Sequence, residues 1–169
     1  MIDAKINDTA SDGLDRIARA LLDLTPVWYD IGEDLLVSHQ DRIARGERPD
    51  GASFAPRSPT TLKRYKKLGL SYGPPLNLSG DMRQGLHYSV TPGALELGSS
   101  AIQSAVMQFG AKKGAFGSYQ GKGFGETTPT ISIPWGDIPA RPFLGLSDDD
   151  QDAITAAVGE WLVKITDED

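Results

Sequence analysis

At 169 residues the chain fits a single domain, and a domain of this size buries roughly two-thirds of its unfolded surface. Cysteine is absent, which removes disulfides, thiolate nucleophiles and cysteine-ligated metal chemistry together. The net charge of -6 is laid out in blocks: residues 1–41 hold nine acids against three bases, residues 42–83 nine bases against three acids, and residues 147–169 eight acids against Lys164 alone. Blocks of opposite sign predict attraction, either within the folded chain or between neighbouring copies in a ring.

In chain order, Leu14, Ile17, Ala18, Leu21 and Leu22 recur at helical spacing. Thr25 before Pro26 has the form of an N-cap with proline at the first helical position, and Val27, Ile31 and Leu35 continue a stripe toward Arg45. Two readings stand here, a second helix or one helix kinked at Pro26. Gly46 ends it, with Arg42 and Arg45 in the last turn against the helix dipole. Pro49 to Pro75 reads as an extended, proline-punctuated arm. Ser58 and Pro59 start a short basic helix within it, and another short helix runs from Asn77 through Met82 to Leu86. Leu86, Tyr88 and Val90, the Pro92-Gly93 turn, then Leu95 and Leu97 make the clearest hairpin. Ile102 to Phe109 favours a helix, Thr130 to Ile133 a strand, and Gly110 to Gly125 a glycine-rich hairpin tip between them. Ser147 caps a last helix that opens on Asp148, Asp149 and Asp150 and buries Ile154, Ala157, Val158, Trp161, Leu162 and Ile165.

The expected organisation is one α+β domain over 1–169: a helical region 1–48, a basic arm 49–84, a sheet region 85–146 carrying the glycine-rich loop 110–125, and a helix 147–166. A small, mostly antiparallel sheet is packed by the N-terminal helices and the C-terminal helix. Met1 to Ala10 lacks the apolar run of a signal peptide, and no stretch reaches the roughly 20 apolar residues of a membrane span. A cytoplasmic site of synthesis and no membrane partner are expected.

No enzyme centre emerges from these residues. The glycine-rich loop lacks the Lys-Ser or Lys-Thr of a phosphate loop, since Lys122 is followed by Gly123; its Lys112, Lys113, Phe116, Tyr119, Lys122 and Phe124 suit docking on a partner or a nucleic-acid backbone. Neighbouring carboxylates at 148–150 diverge around a helix and read as dipole complementation. His39 and His87 read as ordinary surface or half-buried residues. Catalytic residues, metal ligands and cofactors are all expected to be none.

The most specific segment is Ile138-Pro139-Ala140-Arg141-Pro142-Phe143-Leu144-Gly145-Leu146-Ser147, followed directly by the acidic helix start. Together with Leu24-Thr25-Pro26, Pro49-Asp50-Gly51, Phe54-Ala55-Pro56, Leu78-Ser79-Gly80 and Gln108-Phe109-Gly110, it resembles the phage virion morphogenesis family over about residues 14–165. That family includes Mu G-like and tail-completion proteins. One departure is the segment Ser104-Ala105-Val106-Met107, where the family pattern carries a Tyr-Ala pair and a His. The resemblance implies a structural virion protein of the neck or tail that completes or terminates the tail and joins it to the head. It implies a closed ring of copies, hexameric or a multiple of that, contacting tail-tube and head-tail connector proteins and, transiently, packaged DNA. Localisation would be the virion, and the host cytoplasm during assembly.

Candidate interface residues are Arg64, Lys66 and Lys67 on the arm, with Phe109, Arg141 and Phe143. Arg141 has two readings: a strap residue packing the last helix, or a charge presented to a neighbouring subunit between two prolines. The reading from another class is a DNA-binding protein that uses the basic arm 42–83.

Overall fold

A single long helix organises the structure. The computed structural model describes residues 9–121 and 128–167. A first helix, α1 (Thr9–Ala20), is separated by a short break from α2 (Thr25–Arg45), so the chain forms two helices rather than one kinked rod. Leu24, not Thr25, takes the N-cap position. The capping oxygen comes from Asp23, whose Oδ1 accepts the Thr25 N–H at 2.9 Å, and Pro26 occupies the first turn, where it forfeits no helical bond.

Val27, Ile31, Leu35, His39 and Ile43 recur every four residues along α2 and are all buried. At its C-terminus Gly46 adopts φ +79°, its N–H reaching the carbonyls of Arg42 and Ile43. Two packing clusters flank this helix. Val27, Ile31 and Leu35 meet Leu95, Ile154, Val158 and Trp161, whereas Ile43 meets Phe54, Met82, Leu86 and Phe143.

After α2 come α3 (Pro59–Lys67) and α4 (Asp81–Gln84). Ser58 caps α3 as expected, accepting the Thr61 N–H at 3.1 Å. The expected helix from Asn77 to Leu86 shrinks to α4, because Leu86 is already paired with Ser99 across the first hairpin. That hairpin, β1 (Leu86–Thr91) and β2 (Ala94–Ser99), turns at Pro92 and Gly93. It lies so close to α2 that a Cβ on Gly32 would come within 2.6 Å of the Tyr88 ring, which accounts for glycine inside a helix.

A six-residue α5 (Ser104–Phe109) follows. A second hairpin, β3 (Ser118–Gln120) with β4 (Thr130–Ser132), is not joined to the first. The fold is α+β, with its antiparallel pairing divided between two small hairpins. Of the glycine-rich segment, residues 122–127 lie outside the described residues; the rest includes β3 and an antiparallel bridge of Ala111 to Ile138.

Residues 138–147 form a strap that leads into α6 (Asp148–Asp167). The side chain of Gln108 treats the strap as a strand: Oε1 accepts from the N–H groups of Phe143 and Leu144 at 2.9 and 3.1 Å, and Nε2 donates to the Leu144 carbonyl at 3.0 Å. Ser147 and Asp150 close a reciprocal capping box, with Ser147 N–H to Asp150 Oδ2 at 2.9 Å and Asp150 N–H to Ser147 Oγ at 3.2 Å. α6 then packs mainly on α2 and α1.

The join between α2, the strap and α6 is a buried ion pair. Arg42 Nη1 donates to Asp150 Oδ2 at 2.7 Å, with the side chains 6% and 4% exposed. The same guanidinium reaches Ser38 Oγ at 2.7 Å and the Gly145 carbonyl at 3.0 Å, and Ser38 donates to Asp150 Oδ1 at 2.6 Å. Arg42 lies in the last turn of α2 as expected, and there it also meets an acid from the opposite charge block. His39 is correspondingly not a surface residue. It is 1% exposed, with Nδ1 2.7 Å from the Leu35 carbonyl and Nε2 positioned to accept the Gly145 N–H at 3.4 Å. A neutral ring with its proton on Nδ1 satisfies both contacts.

Removing one partner of this pair leaves a buried charge uncompensated. Asp150→Ala should lower the unfolding free energy by about 3–5 kcal/mol, and the joint replacement Arg42→Met with Asp150→Leu should cost less than Asp150→Ala alone. Urea denaturation of the variants compares the two; a double variant as unstable as the single one would contradict this account.

Acid should act on the same join in two phases. Burial and the adjacent Arg42 charge hold the His39 pKa below its ordinary value. For Asp150, burial pushes upward but the hydrogen bonds from Ser147, Ser38 and Arg42 outweigh it, leaving the carboxyl below the usual range. In both cases the unfolded chain takes up the proton first, so stability is lost as pH falls. The His39 phase begins near pH 6.5 and the Asp150 phase near pH 4, their ordinary values. Thermal unfolding followed from about pH 8 to about pH 3 should show both, and His39→Gln should abolish the decline between about pH 6.5 and 5.

Candidate functional site

The strap consumes the residues most suggestive of a site. Arg141 Nε donates to the Ala55 carbonyl at 2.7 Å and Nη2 to the Pro56 carbonyl at 2.8 Å, so a planar fork ties the strap to the start of the arm. Burial and the nearby Arg57 charge both lower its pKa from the ordinary arginine value. Phe143 is 1% exposed inside the cluster of Ile43 and Phe54. Pro139 and Pro142 hold the backbone extended, and within the subunit Arg141 and Phe143 turn inward, the strap arrangement rather than the outward presentation expected of interface residues.

The Gln108-Phe109-Gly110 motif divides in the same way. Gln108 clamps the strap, and a Cβ on Gly110 would lie 2.7 Å from the Ile138 carbonyl, so glycine is required for that approach. Phe109 between them is 79% exposed. Ile102 is 98% and Trp135 75% exposed as well.

The basic arm presents a second exposed surface. Helix α3 has no buried residue and takes no major part in the packing between elements. Its Lys63, Arg64, Lys66 and Lys67 are all exposed, and among the described residues no ion pair engages them. Leu68, Leu70 and Tyr72 follow, also exposed. Arg64, Lys66 and Lys67 thus lie together on one accessible element, whereas Phe109 belongs to a separate patch beyond a groove.

What holds the arm in shape is Arg57, which the sequence reading did not single out. Its guanidinium carbon sits 5.6 Å from the Tyr65 ring centre and 5.2 Å from that of Tyr72, and its Nη atoms donate to the Gly73 and Pro74 carbonyls, each at 2.6 Å. An arginine preceding two tyrosines is a weak signal, because only the folded-back chain brings the rings together. The groove of about 730 Å³ between arm and strap is lined by Tyr65, Leu78, Met82, Met107, Trp135 and Arg141, among others. Leu76 at its floor takes φ +69°, a conformation leucine rarely adopts, and packs against the Phe143 cluster.

Among the described residues no group of three His, Asp or Glu side chains is placed to hold a metal ion. No helix of the described residues is long and apolar enough to cross a membrane.

Comparison with known proteins places these features. No curated protein and no solved structure matches the chain. The model of the phage virion morphogenesis family does, over residues 6–163, a span that takes in the arm, the Gln-Phe-Gly clamp, the strap and nearly all of the last helix. The chain belongs to the phage virion morphogenesis family.

Proposed function

We propose that the protein is a structural subunit of the phage neck or tail, which completes or terminates the tail and joins it to the head as one member of a closed ring. The observation that carries this reading is α3: a preformed helix with no buried residue, braced by the Arg57 clamp and bearing bases that no ion pair engages among the described residues. A folded chain gains nothing internally from such an element. Its exposed charges suit an acidic neighbour, and the same chain carries acidic surface on its first 41 residues and its last helix.

The contact between arm and acidic face joins unlike surfaces, so it is heterologous and must close on itself to avoid a filament.

Gold-labelled antibody on purified virions should mark the neck or tail end; label elsewhere would overturn the assignment. Reversing Arg64, Lys66 and Lys67 to glutamate should weaken assembly measured by light scattering by about tenfold or more. The basic arm also suits duplex DNA, and this reading makes the opposite forecast: nanomolar binding that falls steeply with salt and is lost in the same triple variant.

A further inference from the structure

The arm's proposed partner can be narrowed to one crease. Between α2 and α6 lies a cavity of about 210 Å³, lined by Ile31, Leu35, Ala153 and Ile154 together with Ser38 and Asp150, and bordered by Asp34 and Asp149. Ile31 and Leu35 are buried, Ile154 is half-buried, and Asp34 and Asp149 are exposed without an ion pair among the described residues. Ser38 and Asp150 are already engaged with Arg42, so the crease offers an aliphatic lining bordered by two free carboxylates. The tip of the arm has the reverse construction: Lys66 and Lys67 end α3, and Leu68 and Leu70 project next to them, 58% and 43% exposed.

We infer that the tip of the arm of one copy seats in the α2–α6 crease of the next, with Leu68 or Leu70 entering between the helices and Lys66 and Lys67 facing Asp34 and Asp149. Three observations agree on this occupant. The charges complement: two lysines and two aspartates, none of them in an ion pair among the described residues. The sizes match, since an apolar cavity of about 150 Å³ already accepts a benzene-sized group. Helix α3 has no buried residue and takes no major part in packing between elements, so the knob at its end is displayed outward while the crease belongs to the opposite charge block. An apolar knob and an apolar crease at different places on one molecule define a heterologous contact, and its hydrophobic part persists where salt screens the ion pairs.

This inference rests on the ring reading but can fail separately from it. Because the chain has no cysteine, two introduced thiols report one contact without interference. Virions carrying the double variant Leu68→Cys with Ala153→Cys, oxidised and separated without reductant, should give a ladder of covalent multimers; each single variant should remain monomeric. Both positions are exposed, so folding should survive. As a second measurement, Lys66→Glu should weaken association about tenfold and Asp34→Lys in the same chain should restore most of it. Monomer alone from oxidised virions of the double variant, with gold label still at the neck or tail, would overturn this contact and leave the ring intact. Label away from the neck and tail would overturn the ring reading itself.

Discussion

The Arg42–Asp150 pair is the constraint from which the rest of the architecture follows. Its members are 108 residues apart in sequence and come from blocks of opposite charge. Burying them exacts a large desolvation cost, repaid only by near-ideal geometry and by partners for the remaining donors and acceptors. The structure partners both terminal nitrogens of the guanidinium and both carboxylate oxygens with groups from all three converging segments, Ser38 from α2, the Gly145 carbonyl from the strap and Ser147 at the start of α6, while the buried Arg42 Nε has no hydrogen-bond partner among the described residues. One guanidinium therefore determines where α2 ends, where the strap stops and in which direction α6 departs. The neutral state of His39 is a consequence. It lies one turn before Arg42 with both ring nitrogens engaged, and a second buried cation there would have no acid left to pair with.

The same accounting separates inward from outward residues along the whole chain. Polar groups of the strap and its clamp, in Arg141, Gln108 and Ser147, are directed at backbone atoms of other segments, so they raise stability and carry no external information. In contrast, the bases of α3, the leucines after it, Phe109 and Trp135 contribute little to the fold of one subunit. A strongly marked sequence segment and a contact surface are different things in this protein. The segment most typical of the family is the one that holds the subunit together, and the surface available to partners lies on either side of it.

How much of this could be read beforehand depended on the range of the interactions. The hairpin from Leu86 to Ser99 was legible because alternation and a Pro-Gly turn are local. So were the Gly46 stop, the Ser58 cap and the Ser147 box, each settled within four residues. The division of the sheet into two hairpins was not legible, since strand propensity says nothing about which strands meet. Charge blocks correctly suggested attraction between the basic middle and the acidic end, but sign alone could not select Arg42 and Asp150 from their neighbours. The inward turn of Arg141 and Phe143 was not legible for a related reason: flanking prolines establish that the backbone is extended, not which way its side chains turn. The exposed bases of α3 were legible as a group, whereas the clamp that shapes the arm was not, because Arg57, Tyr65 and Tyr72 meet only after the chain doubles back.

That clamp bears on why the arm is ordered at all. A disordered segment with the same charges would still be steered toward an acidic surface, but it would lose its conformational freedom on docking and would fix no register. With Arg57 held against the paired rings of Tyr65 and Tyr72 and bonded to the Gly73 and Pro74 carbonyls, the helix and the residues after it are arranged before any encounter. Much of the ordering cost then falls on folding of the subunit rather than on its association. A preorganised arm also delivers its bases and its leucines at a fixed offset from the core. Geometry of that kind separates a contact that closes a ring from one that merely attracts, since closure requires every copy to meet the next at the same angle.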